Sequence, residues 1–196
     1  MSLQIDPPFG LGQTFGAASA TDGTGWVGVV KLFPDVNPLT GRIRSNRVKK
    51  CIAVRNSSGV TLYPAKRGVS FKAGSFTEVD GYHRLDGTST VAIAGVGDEY
   101  LPSSGVAAND VFWVTVEGPT EILVSANTQP DQTLVSTTIA TTALTSQSSA
   151  GGYAIAANAT TAQGVTAIGV IYGRACSTAT SGSACLAVVG PRSLGD

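Results

Sequence analysis

The sequence predicts an all-β protein, a compact β-sandwich or β-barrel with an extended N-terminal arm, on three observations. Val occurs 21 times and Thr 22 times against 12 Leu, five Lys and four Glu, so residues that fit a pleated sheet outnumber straight-chain helix formers. The 196 residues include 24 Gly and nine Pro, which break the chain at short intervals. Between the breaks lie short apolar runs, spaced by roughly eight to twenty residues, as sandwiches and barrels require.

Taken in order, residues 1–25 are rich in Gly, Ser, Thr and Ala and lack bulky apolar periodicity, which predicts a flexible N-terminal arm. A β-rich domain then spans 26–196, with 26–130 and 131–196 as candidate subdomains. WVGVVKLF opens the domain at Trp26. VKKCIAVR alternates Val48, Lys50, Ile52 and Val54 against Lys49, Cys51, Ala53 and Arg55, which predicts a strand half-exposed at most. The turn NSSG and the run VTLY after it predict a hairpin. TVAIA follows, and then VFWVTV, apolar on both faces and so expected as a central strand covered on both sides. Gly118-Pro119 separates it from EILVSA and predicts a second hairpin. AIGVIYGRA and ACLAVVG complete the set, with Cys176 and Cys185 bracketing STATSGSA between them.

Apolar residues make up 42% of the chain, enough for a buried core, while charged residues are only 13% against about 25% in ordinary soluble domains. Much of the surface must therefore be Ser, Thr, Asn, Gln, Gly and Ala. MSLQIDPPFG has neither the basic start nor the apolar core of a signal peptide, and no apolar run approaches a membrane span. A soluble intracellular protein without membrane contact is expected. Three cysteines with no CxxC spacing argue against a disulfide framework and a zinc site. Cys176 and Cys185 are placed to face each other across a hairpin, with reduced thiols the ordinary state inside cells.

Charge is unevenly distributed although the net charge is zero. Ten of the thirteen basic residues lie between Lys31 and Lys72, opposed only by Asp35, and nine acids then lie between Glu78 and Asp131 beside one base, Arg84. Either the two blocks pair inside one domain, or they form opposite patches that meet between molecules.

The chain presents no assembled chemistry. His83, the lone histidine, sits between two Asp-Gly pairs with no GxSxG nucleophile elsewhere, so it reads as a turn residue. Asp80, Asp86, Asp98 and Glu99 lack the spacing of a calcium loop. No Gly-rich loop carries the P-loop Lys. RIRSNRVKK could neutralise phosphates, but it lacks interleaved aromatics and stands in a neutral chain, so nucleic acid is not the expected partner. A non-enzymatic protein without metal or cofactor is expected.

From Gln132 to Gly173 there is no Asp, Glu, Lys or Arg. A Thr, Ala and Gly surface that is neither charged nor oily suits tight packing against fixed neighbours, since small side chains lose little rotamer entropy. Thr137, Thr138, Ile139, Tyr153 and Ile155 are the candidate oligomer-packing residues. The order VKKCIAVRNSSGVTLYPAKRGVSF, VAIAGVGDEYLPSSGVAANDVFWVTVEGPTEILV and AIGVIYGRACSTATSGSACLAVVGP, from about Lys49 to Pro191, resembles the β-rich head decoration, or cement, proteins of tailed bacteriophages. The likeness is one of composition and order. It implies a virion protein, often a homotrimer, that sits on the exterior of an icosahedral head assembled in the host cytoplasm and clamps the major capsid protein. Arg42, Arg44, Arg47, Lys49 and Lys50 are then the candidate capsid contacts. The rival readings are a receptor-binding or carbohydrate-binding β-module, which would want clustered exposed aromatics, and an enzyme built around His83.

Overall fold

The computed structural model describes residues 7–16, 25–82, 92–125, 127–136, 154–156 and 171–190, and among them it is all-β. The ten strands are β1 (Val30–Val36), β2 (Ile43–Asn56), β3 (Gly68–Phe71), β4 (Glu78–Tyr82), β5 (Ile93–Gly97), β6 (Val111–Leu123), β7 (Thr133–Ser136), β8 (Ala154–Ala156), β9 (Ile171–Ala175) and β10 (Ala184–Val189). They form one mixed sheet in the order β1-β2-β4-β3-β5-β6-β10-β9-β7-β8. β6 also pairs back onto β2, so β2, β4, β3, β5 and β6 close into a five-stranded barrel. Among the described residues only the β2–β4 ladder is parallel, two residue pairs long at Arg55 and Asn56.

Alternation along the two long strands serves two cores. Val54, Val69, Val79, Ala94, Phe112 and Val114, from all five barrel strands, pack together in the first. Cys51 and Ala53 of β2 and Val111 and Trp113 of β6 point the other way, into a second core with Phe33 and Trp26. The expected two-sided burial of VFWVTV is therefore found for Val111 to Thr115, each side chain contributing roughly 1.5–3 kcal/mol where it is large and apolar. A third core, with Ile122, Val124, Leu134 and Cys185, lies where β6 is joined by β10, β9 and β7.

VKKCIAVR is half-exposed at most, as expected: Val48 and Lys50 reach solvent, while Lys49, Cys51, Ala53 and Val54 are buried, the chain before β1 covering the side of Cys51 and Ala53. Three expectations need correction. No NSSG hairpin forms. Ser57 to Gly59 turn the chain, but both edges of β2 are taken by β1, β4 and β6, and Leu62 instead bridges to Val106. Gly118-Pro119 is not a hairpin either, since β6 runs through it. Gly118 adopts φ +102° with its Cα against β2, and there β6 changes partner, from β2 along Val111–Glu117 to β10 along Gly118–Leu123. Cys176 donates its backbone N–H to Leu186 across the β9–β10 turn, which sets Cys176 and Cys185 on opposite faces; all three thiols are free.

The N-terminal segment also differs from an arm where it is described. Phe9 and Leu11 are buried, Phe9 stacks on Trp113 at 4.9 Å between ring centroids, and its carbonyl accepts the indole N–H at 3.1 Å. Phe15 exchanges backbone hydrogen bonds with Val111. Residues 7–16 are thus a lid on the second core. Residues 1–6 and 17–24 lie outside the described residues.

Candidate functional site

The chain before and within β2 sorts its charges onto two faces. On the inner face stands an ionic cluster. Lys49 Nζ lies 2.5 Å from Glu99 Oε1 and 3.8 Å from Asp35 Oδ1. Arg44 forks between the two acids, with Nη2 at 2.7 Å from Asp35 Oδ1 and Nη1 at 2.7 Å from Glu99 Oε2. Ser45 donates its hydroxyl to Asp35 and the Glu121 N–H donates to Glu99. Burial pushes both carboxyls up. Hydrogen bonds from Arg44 outweigh it, joined by Ser45 at Asp35 and by the Lys49 charge at Glu99, and hold each below its ordinary value. Each carboxylate is met by cations and donors from other elements, so the cluster pins β1, β2, the chain after β5 and β6 to one another.

Asp98, next to this cluster, behaves differently. Burial pushes its carboxyl up to about 6, against the pull of the Gly12 and Tyr100 amides that it accepts. Through Gly12 it also ties the N-terminal lid to the barrel. Burial likewise pushes the Cys51 thiol up to about 12, leaving it an unreactive core group.

The outer face is of another kind. Val30 and Leu32 of β1 and Val48 of β2 are 51%, 61% and 56% exposed and share one side of the sheet. Lys50 lies opposite Leu32 in the ladder, and Arg47 adjoins Val48. Arg42, Arg47 and Lys50 are exposed and make no ion pair among the described residues. Where β6 changes partner, this face runs into a groove of about 550 Å³ between Leu32, Arg47, Val48 and Lys50 on one side and Pro119 and Val188 on the other, with Glu117 at its side. An apolar floor with a mainly cationic rim suits an acidic, partly apolar macromolecular surface.

No protein-family model matches the chain, and no curated protein matches it in sequence. Among solved structures, the head fiber gp8.5 N base of bacteriophage phi29 is similar over 74% of this chain and 98% of that chain, with a TM-score of 0.40 and 15% sequence identity. The functional reading rests on the side chains themselves.

Of the five basic residues singled out in the sequence, the structure separates three from two. Arg47 and Lys50 reach solvent at the outer groove and Arg42 reaches it beside Arg44 and Tyr100; Lys49 is buried and Arg44 is engaged by Asp35 and Glu99. Other members of the basic and acidic blocks also pair inside the domain, Arg55 and Lys72 with Glu78 and Lys66 with Glu121. Thr137, Thr138, Ile139, Tyr153 and His83 lie outside the described residues, and Ile155 pairs with Val135 in the β7–β8 ladder. Sequence reasoning missed Leu32 and Val48, whose apolar signal is identical to that of a core strand. Trp26 and Trp113 are both core residues, not a sugar-stacking platform.

Proposed function

We propose that this protein is a structural virion component that binds the outer surface of an icosahedral phage capsid and stabilises it without catalysis. The observation that supports the reading best is the exposed apolar face of Val30, Leu32 and Val48, rimmed by Arg47 and Lys50. Such a face suits an acidic, long-lived partner surface, and in this reading the capsid exterior is that surface. The sequence likeness to head decoration proteins points to the same partner.

The mechanism is mass action. A protein that binds only the assembled shell stabilises it by about 2.7 kcal/mol per site when free protein is a hundredfold above its dissociation constant. If three copies assemble through the uncharged segment after Gln132, a homotrimer engages three sites at once, and avidity exceeds single-site affinity by roughly 10²- to 10⁴-fold.

The test is co-sedimentation with empty shells of the phage that encodes the chain. Wild type should pellet with shells and the triple Ser variant of Arg42, Arg47 and Lys50 should stay largely in the supernatant. A wild-type protein that stays in the supernatant at tens of micromolar sinks the reading.

A further inference from the structure

β1 ends the sheet, bonded to β2 along one edge and to no strand along the other among the described residues. Parity says what the open edge presents. Ala53 donates its N–H to the Val29 carbonyl, so 29 and 53 are a bonded pair, and bonded pairs alternate along an antiparallel ladder. Following the register through Lys31↔Cys51 and Leu32↔Lys50, the N–H and C=O groups of Val30 and Leu32 point away from β2. The Asn56 N–H bonded to Asp110 gives the same parity from the β6 side of β2. Pro34 has no N–H to offer and a bulge follows it, which closes the second half of the edge to pairing. The first half stays open, next to exposed apolar side chains.

We infer that the Val30–Leu32 edge of β1 accepts a short extended polypeptide segment as an added strand, and that this segment carries apolar side chains and an acidic one on the face shared with Leu32 and Lys50. The inference rests on the reading of this face as the capsid-binding one and takes the capsid protein as the donor of the segment. Main-chain hydrogen bonds give such an added strand its hold, and side chains on one face give it selectivity. Charge selects the occupant. Lys50, on β2 opposite Leu32, stands one strand in from the open edge on the face of Leu32, and its charge attracts an acidic side chain on a strand laid against β1.

The probe is the blocked heptapeptide TVTETVT, added to full-length ¹⁵N-labelled protein. Saturating peptide should slow hydrogen exchange at the Val30 and Leu32 amides at least tenfold. Replacing its Glu by Lys should weaken binding at least tenfold, and N-methylation at alternate residues along the bonding edge should abolish protection. Leu32→Lys, which keeps the backbone but sets a charge on the edge, should weaken binding with an unchanged melting temperature. Absence of binding at millimolar peptide, equal binding of the N-methylated peptide, or a protein dimer that Leu32→Lys dissolves would each overturn the inference. Shells that bind while Val30 and Leu32 stay unprotected overturn it alone. Peptide protection without shell binding overturns the capsid as donor.

Discussion

Lys49 Nζ and Glu99 Oε1 are 2.5 Å apart, and each side chain is only 1% exposed. A charge pair taken so far out of water is held by its geometry: each ion offsets the other's desolvation, and removal of Lys49 leaves two buried carboxylates, Asp35 and Glu99, sharing the single guanidinium of Arg44. Lys49→Met should therefore destabilise the fold by roughly 3–5 kcal/mol. Lys49→Met with Glu99→Leu should be less harmful than the sum of the two single changes. Urea denaturation of the four proteins checks both statements.

Stability should depend on pH in a way set by Asp98. Its folded value of about 6 exceeds the ordinary 3.8, so its contribution is complete below about pH 4 and lost as pH rises through about 6, on the order of 2–3 kcal/mol. Asp35 and Glu99, held below their ordinary values, contribute stability that is present above about pH 4.5 and lost as pH falls further. The melting temperature should peak near pH 5, by the sum of these opposed dependences. Asp98→Asn should flatten the profile between about pH 4 and 7 and leave the acid limb in place.

Gly118 combines φ +102° with a position where a Cβ would stand 2.5 Å from the Val48 carbonyl oxygen. Gly118→Ala should destabilise by more than the roughly 1–3 kcal/mol of backbone strain alone, since β2 must also move. Gly182, at φ +81° with open space around it, is the control, and Gly182→Asn should be nearly neutral. Thermal melts of the two variants give the comparison.

Phe9→Ala should cost about 3–5 kcal/mol, the loss of a buried aromatic ring, if residues 7–16 are part of the core. Calorimetry tests it: a melting temperature within a degree of wild type would restore the view of this segment as a detachable arm.

What was legible in the sequence was whatever local pattern alone decides. Val111 to Thr115 is apolar on both faces, and a strand of that composition has to be covered twice. What was not legible depended on which distant segment occupies an edge or a face. Gly118-Pro119 has the chemistry of a turn, yet it bends a strand between two partners. Lys49 and Lys50 are indistinguishable as letters, and the single-residue alternation of β2 sends one into the core beside Glu99 and the other to solvent. Phe9 and Leu11 stand too close to Gly and Pro for any periodicity, and Phe9 finds its place against a distant residue, stacking on Trp113 and accepting its indole N–H. The cationic patch is legible as a block of charge, while nothing in the letters marks Leu32 and Val48 as the exposed apolar half beside it.

The central claim is that the outer face of β1 and β2 holds this protein on a capsid and strengthens it. The direct measurement is the rupture temperature of shells with and without added protein, followed by genome-dye fluorescence on heating. Decorated shells should rupture at a higher temperature, the gain should vanish with Ser at Arg42, Arg47 and Lys50, and it should shrink as salt rises, because exposed charges are screened. Rupture at one and the same temperature with and without wild-type protein would contradict the account.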